Sequence, residues 1–196
     1  MYFNLYRFFT NVYNGDKKRG CRMEQFTYKI QIQNKKQNVV IIDDDDKVYG
    51  SIQRSVLRNC DKRSTFQFLS NSGEKVVVGM KKRRFRDLNV ASYIVQSDNY
   101  EFKLKERPGS NLLYFKVDGK FDNKYITLAE DWKGNLEVYY HASHVVTIIE
   151  DPVSGETTIA LGEKFEVNSL SFIIGVLMFF MYKTYKREDW YIERAL

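Results

Sequence analysis

Leu170-Ser-Phe-Ile-Ile-Gly-Val-Leu-Met-Phe-Phe-Met-Tyr182 decides how this chain of 196 residues folds. The stretch is apolar on every side, so as a helix it has no face for water and must be buried, in protein or in lipid. Asn168 stands just ahead of it as an N-cap, and Lys183, Lys186 and Arg187 follow, where cations suit the C-terminal end of a helix dipole. A helix is therefore expected over 168–187. Its thirteen apolar-run residues at ~1.5 Å per residue reach about 20 Å, short of a hydrocarbon core of ~30 Å. Extension toward the N-terminus meets Glu166, Lys164 and Glu163 within two turns. Spanning a bilayer would demand thinning or snorkelling, and a protein interior is the better fit.

The rest of the chain supplies that interior. From Phe26 to Leu161 the sequence is a series of short strand-like runs rich in β-branched and aromatic residues. They are Phe26–Ile32, Asn38–Ile42, Lys47–Arg54, Thr65–Leu69, Lys75–Met80, Ala91–Gln96, Tyr100–Glu106, Asn111–Val117, Tyr125–Ala129, Leu136–His141, Val145–Asp151 and Thr157–Leu161. Turn chemistry separates them at Asn71-Ser72-Gly73, Pro108-Gly109, Asp118-Gly119, Lys133-Gly134-Asn135 and Ser154-Gly155. Alternation in Glu101-Phe102-Lys103-Leu104-Lys105 gives one apolar and one charged face. The fold class expected is mainly β, an antiparallel barrel of about twelve strands enclosing a near-C-terminal hydrophobic α-helix. Eight strands are filled by their own side chains and sixteen leave a channel, so a lumen of intermediate width suits a helix about 10–12 Å across. Leu170, Phe172, Ile173, Ile174, Val176, Leu177, Phe179 and Phe180 are the helix side chains expected in the core. Gly175 reads either as a close approach to the wall or as a tolerated mid-helix glycine.

Composition agrees with one packed domain: 43% of residues are hydrophobic, and there are 2 Pro and 11 Gly, which excludes a low-complexity chain. Residues 23–187 form that domain. Residues 1–22 are a separate extension, either a short amphipathic helix at a membrane surface or a poorly ordered lead, and 188–196 form a tail. Cys21 and Cys60, the 2 cysteines, have no metal-type spacing and are too few for a disulfide framework. With no secretory leader read at the start, the expected location is cytoplasmic, peripheral at the inner membrane face. A net charge of +6 favours anionic partners.

This strand–turn series, the Lys75-Val-Val-Val-Gly-Met80 strand with its basic sequel, and the Phe165-Glu-Val-Asn-Ser-Leu170 lead into the helix resemble the tubby C-terminal-like domains. That superfamily includes the phospholipid scramblases and the LURP-one-related proteins, and the small, single-domain bacterial type is the most similar in style. The resemblance covers about Phe26 to Arg187 and rests on architecture. The N-terminal extension and the residues beyond Arg187 depart from the minimal family. It implies a barrel around a central helix, no catalysis, and, in the eukaryotic tubby members, phosphoinositide binding by a basic cluster on the barrel surface.

Lys81-Lys82-Arg83-Arg84-Phe85-Arg86 is the strongest surface feature. Lys81, Lys82, Arg83, Arg84 and Arg86 are the candidate phosphate- or lipid-binding residues, because arginine forks match phosphate geometry and basic residues are drawn to anionic lipid. Lys82 and Arg84 fit the family's lysine-x-arginine pattern loosely. A solvated strand edge is the alternative reading, and nucleic acid the other anionic partner. Asp43 to Asp46 are consecutive carboxylates without the alternation and closing Glu of a calcium loop, and read as a charged turn. His141 and His144 lack a third ligand beyond Glu150 or Asp151, so no metal site, cofactor or catalytic residue is assigned. Trp132 is expected to pack beside a turn. A single-span protein anchored through Leu170 to Tyr182 is the alternative to the barrel module.

Overall fold

The computed structural model describes residues 27–33, 38–42, 47–81, 90–107, 114–155, 157–162 and 169–195. Twelve strands precede one helix: β1 (Thr27–Gln33), β2 (Asn38–Ile42), β3 (Val48–Arg54), β4 (Cys60–Ser70), β5 (Lys75–Lys81) and β6 (Ser92–Ser97). They continue as β7 (Glu101–Glu106), β8 (Lys116–Phe121), β9 (Lys124–Glu130), β10 (Leu136–Tyr140), β11 (Ser143–Glu150), β12 (Thr157–Leu161) and α1 (Leu170–Ala195). Each strand pairs antiparallel with its sequence neighbours, and β1 pairs with β12 as well as with β2, so the order returns on itself as a closed barrel.

The alternation of the sequence sets which side chains point inward. Val117, Leu128, Val138, Val146 and Leu161 lie opposite one another across successive ladders, and all five are buried. A register shift between Val138 and Tyr139 places Val145 as an extra residue on β11, and Val145 and Val146 are both buried. Such a bulge sharpens the local twist and helps the sheet curve around its contents.

Those contents are α1. Ser169 caps it: Ile173 N–H donates to its carbonyl at 3.0 Å, and Phe172 N–H reaches its Oγ at a longer 3.4 Å. The cap is thus one residue beyond the expected Asn168, which lies outside the described residues. Ser171 to Phe179 are buried without interruption, as are Met181 and Tyr182, while Leu170 and Phe180 are half-buried. The helix lies against β4 and β5 and also against β9, β10 and β11. These two groups sit across the ring from each other in the strand order, so the apolar half of α1 runs between opposite walls. A strand of seven residues spans about 23 Å and the thirteen-residue apolar run about 20 Å, so rod and sheath match. Among the described residues no helix is long and apolar enough to cross a membrane, and the single-span alternative fails because the segment it needs is enclosed by strands.

Three expectations need correction. Helix α1 continues to Ala195, so 188–196 is not a separate tail. Asp118-Gly119 is not a turn: both residues lie inside β8, and the turn is Asp122-Asn123, with φ of 47° and 58°. Gly119 is there because a Cβ would collide with Leu104 Cδ2 on the neighbouring strand, a packing demand rather than a turn demand. Trp132 does not pack beside its turn; it projects from it, 79% exposed. Residues 1–22, Asp43–Asp46, Pro108-Gly109 and Lys82 to Arg86 lie outside the described residues.

The β10–β11 turn is built from His141 and Ala142, with φ of 51° and 63°. Left-handed backbone at an alanine costs roughly 1–2 kcal/mol, partly offset in a glycine variant by the larger entropy of the unfolded chain. Ala142→Gly is expected to raise stability by about 0.5–1 kcal/mol and the melting temperature by about 2 °C, read by thermal denaturation.

Candidate functional site: a basic wall at one end of the barrel

In an antiparallel ring, alternate connections share an end. The β3–β4, β5–β6, β7–β8, β9–β10 and β11–β12 connections lie at the end from which the second half of α1 emerges. Strands β3, β4 and β5 gather cations there. Cys60 lies opposite Lys81 across the β4–β5 ladder, and Arg54 opposite Phe66 across β3–β4. The Arg54 guanidinium donates to the Arg63 carbonyl and lies 5.1 Å from the centre of the Phe66 ring, capping the rim beside the helix. Arg54, Arg58, Lys62, Arg63 and Lys81 are all exposed.

Lys81 alone of the predicted cluster is described; it ends β5, with Lys82, Arg83, Arg84 and Arg86 next in the chain. What sequence reasoning missed is the contribution of β4. That strand begins at Cys60 rather than at Thr65, and its early part brings Lys62 and Arg63 beside the end of β5. Nothing in their spacing announces it: 54, 58, 62, 63 and 81 become one cluster only through strand register.

Among the described residues one carboxylate, that of Asp61, lies within this wall. Asp61 is the acid nearest in sequence, and its Oδ1 accepts the backbone N–H of Arg63 at 2.7 Å. Other described acids of this end are held by local donors. Glu130 accepts from the Tyr182 hydroxyl at 2.8 Å, from Lys186 at 2.8 Å and from Phe115 N–H at 3.1 Å. Glu150 is paired with Lys183. Asp131 Oδ1 accepts from Lys133 N–H and Asn135 N–H, each at 2.8 Å. Asp151 Oδ1 accepts from Val153 N–H at 2.7 Å and Ser154 N–H at 3.1 Å, and these backbone donors hold its carboxyl below the usual aspartate value. Arg58, Lys62 and Lys81 make no ion pair among the described residues.

Within this wall Cys60 is buried and reduced, and burial pushes its thiol up, with Lys81 acting more weakly in the other direction. That is the setting of a structural rather than a nucleophilic cysteine. The two histidines lie at the opposite end. His141 is exposed in its turn; His144 Nε2 is 2.8 Å from Thr147 Oγ1, and burial lowers its basicity against the pull of Glu137. No group of three metal-ligating side chains occurs among the described residues.

The arrangement defines a class: an antiparallel barrel wrapped on a helix, with one end basic. No protein-family model and no curated protein matches the sequence. Among solved structures, the chain is similar to the X-ray structure of a protein from Arabidopsis thaliana at 16% identity, covering 80% of this chain and 91% of that one, with a TM-score of 0.43.

Proposed function

We propose that the protein is a non-catalytic, tubby-like binding module that holds anionic phospholipid headgroups on its basic wall, as a peripheral protein at a membrane surface. The observation that carries this reading is the set of exposed cations at one end, Arg54, Arg58, Lys62, Arg63 and Lys81, of which Arg58, Lys62 and Lys81 make no ion pair among the described residues. Guanidinium forks and ammonium groups at one rim suit phosphate oxygens. The closed strand order around a buried helix supports the tubby-like part independently of any sequence match.

Each basic residue near an anionic surface contributes about 1 kcal/mol. The double variant Lys62→Ala, Arg63→Ala should therefore bind phosphatidylserine vesicles about thirtyfold more weakly at low salt. Both side chains are exposed, so the fold should be unchanged by circular dichroism. Flotation that recovers the unaltered protein equally with neutral and with anionic vesicles would overturn the headgroup reading.

A further inference from the structure

The end that carries the basic wall also carries the most exposed apolar side chains described in the chain. Val56 in the β3–β4 connection, Trp132 in β9–β10 and Val153 in β11–β12 are 69%, 79% and 95% exposed. Single exposed apolar residues are ordinary, and these three are set apart by being the most exposed of those described and by standing at the tips of one rim. Two are presented by turns of the same construction. Asp131 and Asp151 each fold back on the backbone N–H two residues ahead, and Gly134 N–H and Gly155 N–H close on their carbonyls at 3.1 and 2.8 Å. Trp132 and Val153 are thereby held outward on ordered turns, which limits the entropy lost when a partner is met.

We infer that this barrel end docks on an anionic bilayer, with Val56, Trp132 and Val153 entering the interfacial layer while the β3–β5 cations meet the headgroups. The inference rests on the headgroup reading above and adds the orientation: the rim that carries Val56, Trp132 and Val153, from which α1 also emerges, faces the membrane. The chemistry favours lipid over other anionic surfaces. A valine tip offers nothing to a phosphate or a base edge, and nucleic-acid surfaces are met by polar and basic groups. Tryptophan beside lysine is the pairing of the membrane interface, and Lys133 Nζ stands 5.0 Å from the Trp132 ring. The far end differs in degree and in charge: its exposed apolar side chains, Val48, Leu69, Tyr100 and Tyr125, are 41%, 40%, 49% and 67% exposed, each less than the three rim residues. There Lys75, Lys120 and Lys124 are interleaved with exposed Glu74, Asp98, Glu101 and Asp122, and exposed Tyr100 already packs edge-on against Phe121 at 4.9 Å.

The test uses the full chain carrying Trp190→Phe, which leaves Trp132 as its one indole. With phosphatidylcholine–phosphatidylserine vesicles, Trp132 emission should shift to the blue and be quenched by lipids brominated on their chains. Val153→Asp should weaken flotation about tenfold, with folding unchanged because that side chain is solvated. Capture by anionic vesicles with unmoved Trp132 emission and a neutral Val153→Asp would overturn the docking geometry and leave the headgroup reading standing. Quenching that persists unchanged in the Lys62→Ala, Arg63→Ala variant would retain the docking and overturn the headgroup reading. Tight nucleic-acid binding with no response to vesicles would overturn both.

Discussion

Gly175→Leu is expected to prevent the chain from folding, and Gly175→Ala to destabilise it by about 1–2 kcal/mol even though alanine is the better helix former. The reason is the wall. A Cβ at 175 would stand 2.8 Å from Val138 Cγ2 and 3.2 Å from Val146 Cγ1, both on buried strand residues. Valine is stiff at χ1, so its methyl groups do not swing aside as the end of a lysine would. The propensity gain of about 1 kcal/mol is smaller than typical overpacking costs of 1–3 kcal/mol. Four side-chain carbons in place of one hydrogen have no space at all. Urea unfolding measures the alanine variant, and Gly175→Ala combined with Val138→Ala should be more stable than the sum of the two single changes, because the second makes room for the first. A stabilised Gly175→Ala, or a Gly175→Leu protein that folds normally, would mean that α1 does not press on β10 and β11.

The second large effect is at Glu130. Its side chain is only 7% exposed and accepts hydrogen bonds from a tyrosine, a lysine and a backbone amide. Glu130→Ala should cost about 2–3 kcal/mol: it orphans Phe115 N–H, and it removes the partner of Lys186, which is exposed enough for water to replace most of that contact. Tyr182 retains a fallback, since the Gly134 carbonyl lies 3.1 Å from its hydroxyl. Glu130→Gln keeps an acceptor but not the charge, and should lose about half as much.

The same cluster shapes the alkaline limb of the stability curve. Burial first, and Glu130 second, push the Tyr182 hydroxyl far above its usual 10; burial and Glu137 push Tyr139 up to about 12. A phenol whose ionisation is raised by folding stabilises fully below its unfolded value, and that share is lost as pH rises through the folded value. Stability should therefore fall from about pH 10 upward, and Tyr182→Phe should make the fall between pH 10 and 12 shallower. Denaturant titrations at pH 7 and pH 11 read the difference; an equally steep loss in the phenylalanine variant would show that Tyr182 is not the group responsible.

Much of the architecture can be read from residue order, and the errors are informative. The helix was legible because no arrangement in water tolerates an all-round apolar run that begins at Leu170. Ten of the twelve strands fall where β-branched and aromatic clusters lie between turn residues, and Gly73, Gly134 and Gly155 occupy the left-handed turn positions their chemistry suggests. The outliers are β4 and β8. Their ends depend on neighbours: Asp61, Lys62 and Arg63 extend β4 although nothing in them favours a strand, and Gly119 sits mid-strand because Leu104 leans across it. The extension of α1 to Ala195 was missed because the apolar signal stops at Tyr182, where the helix begins to leave the lumen and Lys183 and Lys186 find Glu150 and Glu130.

By itself the sequence determined that a short greasy helix needs a sheath and that alternating strands would make it, because periodicity and length are local properties that water enforces on any chain. Tertiary structure alone decided which charges count. Register set the start of β4, at Cys60, opposite Lys81, strand order brought Arg54, Arg58, Lys62 and Arg63 to the same end, and packing turned Glu130 and Glu150 toward the helix, so a formal +6 spread along the chain gave exposed cations at a rim with apolar tips. Charge acts through distance in space, and distance in space is what a closed ring of strands creates.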